Sequence, residues 1–223
     1  MAVVEIVAQH GWGFGAWCWD GWRNLLPEGF VLHCLDRGYF GQLSAPEAVP
    51  LPDIAIVHSL GLHLLPQRIL DQAKLIVVLG GFRHFHSQRE NLGRRSRRIV
   101  EQMLRRLESE PEALLEDFYA RCGAAKIDEV RMPVDVERLR EDLQLLQQSV
   151  LQEALLPCSA EFMVLHGKDD RVVPLERAED LYRSLSGSAL IVFPDAGHAL
   201  PLTHSHQCWR EIELSWRVKH PVQ

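Results

Sequence analysis

A chain of 223 residues with 47% hydrophobic content is long enough to close one core, or one core with a sizeable insert, and it holds no internal repeat or low-complexity tract. A net charge of -6 and an isoelectric point near 6.0 exclude the broadly basic surface of a general nucleic-acid binder, so any basic patch is local. No apolar run reaches the roughly 18 residues of a membrane span, and the first residues lack a basic leader segment. Cys18, Cys34, Cys122, Cys158 and Cys208 are odd in number and scattered, with no C-x-x-C, so neither a disulfide framework nor a zinc site is indicated and a reducing cytoplasm is expected.

Taken along the chain, apolar runs at 3–8, 30–35, 54–57 and 75–79 each end in a loop of glycines or small residues. Two more, at 161–165 and 189–193, end in His166-Gly167 and in Pro194-Asp195-Ala196-Gly197. A helical pattern at 174–184 lies between these last two, and another follows at 204–218. Strands alternating with helices predict a mostly parallel α/β sheet whose ligands gather at the carboxyl ends of the strands. The stretch 82–157 breaks that rhythm: Arg, Glu, Leu and Gln recur at helical spacing over 88–108, 111–122 and 134–155, with no strand pattern. The chain therefore divides into a core of 1–81 with 158–223 and a helical cap of 82–157.

Ser59 stands directly after the run Ile54-Ala55-Ile56-Val57, in V-H-S-L-G, a variant of the G-x-S-x-G nucleophile elbow. A serine hydroxyl is a weak nucleophile without a base, and the base needs an acid to orient it. The segment FMVLHGKDDRVVP offers Asp170 just past one strand end, and FPDAGHALPLTH offers His198 just past the final strand. Asp169 is the rival acid, one residue short of the expected spacing. Acyl transfer also needs donors for the developing oxyanion. The loop His10-Gly11-Trp12-Gly13 supplies one, the Trp12 amide, and the amide of Leu60 the other. His58 is read as a wall or packing group. His84, His86, His204 and His206 form two H-x-H pairs without a third ligand at metal spacing, so no metal and no cofactor is expected.

These segments resemble the α/β-hydrolases, and within that superfamily the sequence is similar to the pimeloyl-acyl-carrier-protein methyl ester esterases of biotin synthesis. The likeness runs through H-G-W-G at 10–13, H-S-L-G at 58–61, G-x-x-D-x-x-V-P at 167–174 and G-H-A-x-P at 197–201. It implies a trimmed hydrolase fold, because the first motif strand begins at Val3 and a short 44–51 segment replaces a crossover helix. Val57 and Leu62 stand where glycines are usual, Pro66 should shorten the helix behind the serine, and Asp36-Arg37-Gly38-Tyr39-Phe40-Gly41 matches the family's D-x-x-G-x-G loop only in part.

The likeness also implies an aromatic over the acyl chain, a role for which Phe118 on the second cap helix is the candidate, with Trp12 walling the same pocket. On the first cap helix Arg94, Arg97, Arg98 and Arg105 share one side, Arg95 and Arg106 flank them, and Ile99, Val100, Met103, Leu104 and Leu107 lie opposite. Arg94 and Arg98 are the candidates for meeting an acidic acyl-carrier protein and the phosphate of its prosthetic arm; a merely solvated face is the alternative. The expected activity is hydrolysis of the methyl ester of pimeloyl-acyl-carrier protein. A small-ester carboxylesterase of broad range and a non-catalytic binding protein are the alternatives.

Overall fold

The computed structural model describes residues 3–41, 43–124, 134–151, 156–157 and 159–220. Six strands, β1 (Val4–Gln9), β2 (Phe30–Leu35), β3 (Ile54–His58), β4 (Leu75–Leu79), β5 (Glu161–Gly167) and β6 (Ala189–Phe193), form one parallel sheet in the order β2-β1-β3-β4-β5-β6. β3 and β4 are buried at every position, which is why they read as unbroken apolar runs; the edge strands β2 and β6 are only partly buried.

Alternate residues feed two separate cores. Ile6, Ala8, Ile54, Ile56, Val77 and Leu165 pack on one face with Trp19, Trp22 and Trp209, whereas Val7, Ala55, Val57, Ile76, Val78 and Val164 pack on the other with Ile69, Leu70 and Leu181. Chain order departs from β1 in both directions, to β2 on one side and β3 on the other. The crevice beyond the carboxyl ends of β1 and β3 is thus the topological switch point of the sheet, where open α/β sheets bind ligands.

The helices are α1 (Gly61–Leu64), α2 (Gln67–Leu70), α3 (Glu90–Ser109), α4 (Pro111–Cys122), α5 (Val136–Gln148), α6 (Leu175–Ser184), α7 (Leu200–Thr203) and α8 (Ser205–Lys219). The segment behind Ser59 is split as Pro66 requires: α1 is one turn, and Pro66 caps α2. The predicted third cap helix is shorter than expected. Ser149 is extended, and the Leu151 N–H donates to the Arg83 carbonyl as the chain turns back toward the sheet; 152–155 and Cys158 lie outside the described residues. A seven-residue 3-10 helix at Ala16–Trp22 has no counterpart in the sequence periodicity, because its tryptophans alternate with small and polar residues.

α3 packs against α4 and α5. Asp135 caps α5 by accepting the Arg138 N–H at 3.0 Å, and Leu139, Leu143 and Leu146 make the buried stripe of that helix. No helix among the described residues is long and apolar enough to cross a membrane.

Candidate active site

β3 delivers Ser59 to the switch point on a turn that bends sharply into α1. Ser59 has φ +55°, and it is the one non-glycine among the described residues in the left-handed region. Such a backbone costs about 1–3 kcal/mol and persists where its surroundings over-determine it. Here the Ser59 N–H donates to the Leu79 carbonyl at 2.9 Å, and close backbone packing does the rest. A Cβ on Gly61 would stand 2.7 Å from the Gln9 carbonyl oxygen, and one on Gly11 would stand 2.8 Å from the Ser59 Cβ. Both positions require glycine because the chain passes too close to its neighbour there to admit a side chain.

Two distant loop tips meet the serine. His198 Nε2 lies 3.0 Å from Ser59 Oγ, and His198 Nδ1 lies 2.7 Å from Asp170 Oδ2. All three side chains are buried or nearly so. The other carboxylate oxygen, Oδ1, accepts the amides of Val172 and Val173, each at 2.8 Å, which fixes the carboxylate plane. Burial alone would raise the Asp170 carboxyl, but the His198 ring, His166 and the Val173 amide outweigh it and hold the group below the ordinary carboxylate range. An ionised acid fixes the proton of His198 on Nδ1 and leaves Nε2 free to accept from Ser59. Asp169 is exposed, and no hydrogen bond joins its side chain to His198.

Trp12, Ser59 and Leu60 share the floor of a cavity of about 550 Å³, a size suited to a small-molecule substrate. Among the described residues neither the Trp12 nor the Leu60 backbone N–H has an acceptor, the state expected of donors held for an incoming oxygen. Phe85, Val100, Met103, Leu114, Phe118, Leu143, Leu146 and Val172 make the walls, so α3, α4 and α5 roof the site. The Phe118 ring meets that of Trp12 edge to face at 4.9 Å.

No family model matches the sequence. It is 25% identical, over 90% of this chain and 89% of the relative, to the pimeloyl-[acyl-carrier protein] methyl ester esterase of Pectobacterium carotovorum subsp. carotovorum (strain PC1). A namesake from Yersinia enterocolitica serotype O:8 is 26% identical, over 90% and 88% of the two chains. In three dimensions the chain superposes on an esterase from Exiguobacterium antarcticum with a TM-score of 0.77 at 18% identity, covering 96% of this chain and 92% of the other. A bromoperoxidase from Bacillus anthracis gives 0.72 at 16% identity, over the same shares. The chain has the α/β-hydrolase fold.

The arginines of α3 divide between the cavity and a groove beside it. Arg94 and Arg98 do not line the cavity; they border a neighbouring groove with Asn91, Arg95, Ile99 and Gln102. Arg95, Arg106, Arg121, Arg171 and Arg177 line the cavity itself. Arg106 is engaged by Glu110 and Asp117, and Arg177 by Glu176 and Asp180, whereas Arg95, Arg121 and Arg171 carry no ion pair among the described residues. A helical wheel gives the direction of a face but not which of its edges meets a cavity. Sequence signals did exist for the other two: Arg171 follows Asp170 directly, and Arg121 is three residues beyond Phe118 on the same helix.

The histidines separate cleanly. His58 is fully buried, donates from Nε2 to the His198 carbonyl at 3.0 Å, and leaves Nδ1 without a partner among the described residues. Burial, reinforced by the neighbouring His198, pushes its ring well below the ordinary histidine range, so it is neutral. His166 donates to the Val173 carbonyl at 2.9 Å, behind Asp170. His86 bonds Ser96 and Gln147, His84 accepts from Arg177, and His204 bonds Thr203; His206 is exposed.

Proposed function

We propose that the chain is a carboxylic ester hydrolase in which Ser59 is the nucleophile, His198 the general base and Asp170 its orienting acid. What carries this is the continuous contact from Asp170 through His198 to Ser59 at the floor of an apolar cavity. As Ser59 Oγ attacks the ester carbonyl, its proton passes to His198 Nε2, and the carbonyl oxygen settles on the amides of Trp12 and Leu60. Collapse of the tetrahedral intermediate expels the alcohol, which takes the proton from His198. Water, activated by the same nitrogen, then releases the acid and regenerates Ser59.

The substrate is the methyl ester of a pimeloyl group on an acyl-carrier protein, hydrolysed in biotin synthesis. Two facts support it: similarity to esterases of that name across nine-tenths of the chain, and an apolar cavity lined also by Arg95, Arg121 and Arg171, which no carboxylate engages among the described residues. A methylene chain suits the walls, and the phosphate and acidic surface of a carrier protein suit the arginines. Arg94 and Arg98, on the adjoining groove, extend the same positive surface outward.

Hydrolysis of a nitrophenyl ester with Ser59→Ala as control tests the chemistry: activity should fall by at least about a thousandfold, and unchanged turnover in the mutant eliminates Ser59 as nucleophile. Binding to acyl-carrier protein should weaken with salt and on reversing Arg95 and Arg171 to Glu. Ser59-dependent hydrolysis without carrier binding at low salt would leave an esterase of broad range. Rescue of a biotin-requiring strain that lacks its own methyl esterase tests the pathway role.

A further inference from the structure

The loop after β2 matches its family pattern only in part, and the chemistry above leaves it without a task. It is nevertheless bonded in both directions. Toward the cap, Arg37 grips Asp142 of α5 with two bonds, Nε to Oδ2 at 2.9 Å and Nη2 to Oδ1 at 2.7 Å, and the Tyr39 hydroxyl donates to the same carboxylate. Asp142 is 2% exposed, so this is a buried charge with three donors. Arg138 Nη1 donates to the Arg37 carbonyl at 2.8 Å, and the Asp135 N–H donates to the Tyr39 carbonyl at 2.8 Å.

Toward the core, the Arg37 N–H donates to His10 Nε2 at 3.0 Å. That leaves the ring proton on Nδ1, which donates to the Gly11 carbonyl at 2.8 Å. Gly11 precedes Trp12, whose amide is one of the two donors assigned to the oxyanion. The Trp12 indole N–H then returns to α5, donating to the Leu139 carbonyl at 2.8 Å, three residues from Asp142 and on the same side of the helix. The bonds close a ring: α5, Asp142, Arg37, His10, Gly11, Trp12 and α5 again. The Tyr119 hydroxyl, donating to the Gly13 carbonyl, ties the far end of the loop to α4.

We propose that the Arg37–Asp142 pair is a positioning device for the oxyanion loop, clamping α5 to the core so that the Trp12 amide is held where a substrate oxygen will develop charge. Resting on the esterase reading of Ser59, it adds that α5 is a fixed wall. The exposed lining residues Arg95 of α3, Arg121 of α4 and Arg171 put the cavity mouth on their side, while Leu143 and Leu146 of α5 are buried, so entry needs no swing of α5.

The test uses the purified protein and a nitrophenyl ester. Arg37→Met with Asp142→Leu removes both charges together and leaves neither one stranded in the interior. The melting temperature should fall by no more than about ten degrees, the cost of the buried Tyr39 hydroxyl losing its acceptor. KM should stay within about threefold, while kcat falls about tenfold or more, part of the hundredfold or larger loss from deleting an oxyanion donor outright. Affinity for a trifluoromethyl ketone, which mimics the tetrahedral intermediate, should fall in parallel with kcat. Arg37→Lys keeps the charge but not the fork, and should give a smaller loss of the same kind even where the double variant fails to fold.

Unaltered kcat in Arg37→Lys and, if it folds, in the double variant overturns the proposal. So does a rise in KM alone, which would mean that the pair only shapes the cavity. Hydrolysis that survives Ser59→Ala sinks the esterase reading instead, a result distinguishable from failure of the clamp.

Discussion

Asp170→Asn is the substitution whose outcome the geometry fixes most tightly. The side chain is isosteric, and its turn decides which way the amide faces. Oδ1 accepts two backbone N–H groups, from Val172 and Val173, and an NH2 group there would meet both donors head on. The amide oxygen must therefore keep that position, which leaves NH2 pointing at His198 Nδ1. A donor facing Nδ1 drives the ring proton to Nε2, and Nε2 then confronts Ser59 Oγ at 3.0 Å with a hydrogen where a lone pair is needed.

The proposed base, His198, is then present, correctly placed and in the wrong tautomer. A lesion of that kind lowers kcat by about 10⁴, or about 5.5 kcal/mol of barrier. KM should change little, and the protein should still fold because both turn bonds survive. Steady-state hydrolysis of a nitrophenyl ester at about pH 8, above the ordinary histidine range, gives the measurement, with Asp169→Asn as the exposed control expected to stay within about threefold of wild type. An Asp170→Asn enzyme retaining more than about a tenth of wild-type kcat would refute the tautomer argument.

Gly61→Ala places a methyl group 2.7 Å from the Gln9 carbonyl and 3.1 Å from that of His10, backbone atoms that cannot rotate away. The elbow and the oxyanion loop must separate by a few tenths of an ångström, with an expected loss of about 1–3 kcal/mol in denaturant unfolding and a fall in kcat of at least about tenfold; full activity in a stable variant would contradict the close approach. Stability should also fall with acid earlier than carboxylate titration explains. His58 and His166 are buried with their pKa values lowered, so the unfolded chain takes up protons that the native state refuses. Their contribution is complete above the ordinary histidine value of 6.5 and is lost as pH drops below it, at up to about 1.4 kcal/mol per pH unit for each. His58→Gln should flatten the slope between about pH 6.5 and 5 in urea melts; an unchanged slope there would exclude His58 as a contributor.

The sheet was legible because parallel strands are buried on both faces, which turns β3 and β4 into uninterrupted apolar words with glycine punctuation. Ser59, His198 and Asp170 were legible for a related reason: each stands at a strand end, where the fold admits a polar group beside the core. Arg37 and Asp142 were not, since the pair joins residues 105 apart and neither has a local pattern that names its partner. Local periodicity likewise could not rank the arginines of α3. Val100 and Leu107 set its buried stripe, but whether Arg94 or Arg95 borders the cavity depends on how α4 and α5 lean against it.

The positive φ of Ser59 bears on what this sequence would become without its chemistry. A glycine occupies that dihedral freely, so a serine there runs against the backbone's own preference. On the proposed role of Ser59, a lineage relieved of the need for a nucleophile would gain stability by drifting toward glycine at this position, and would fall silent as it did so.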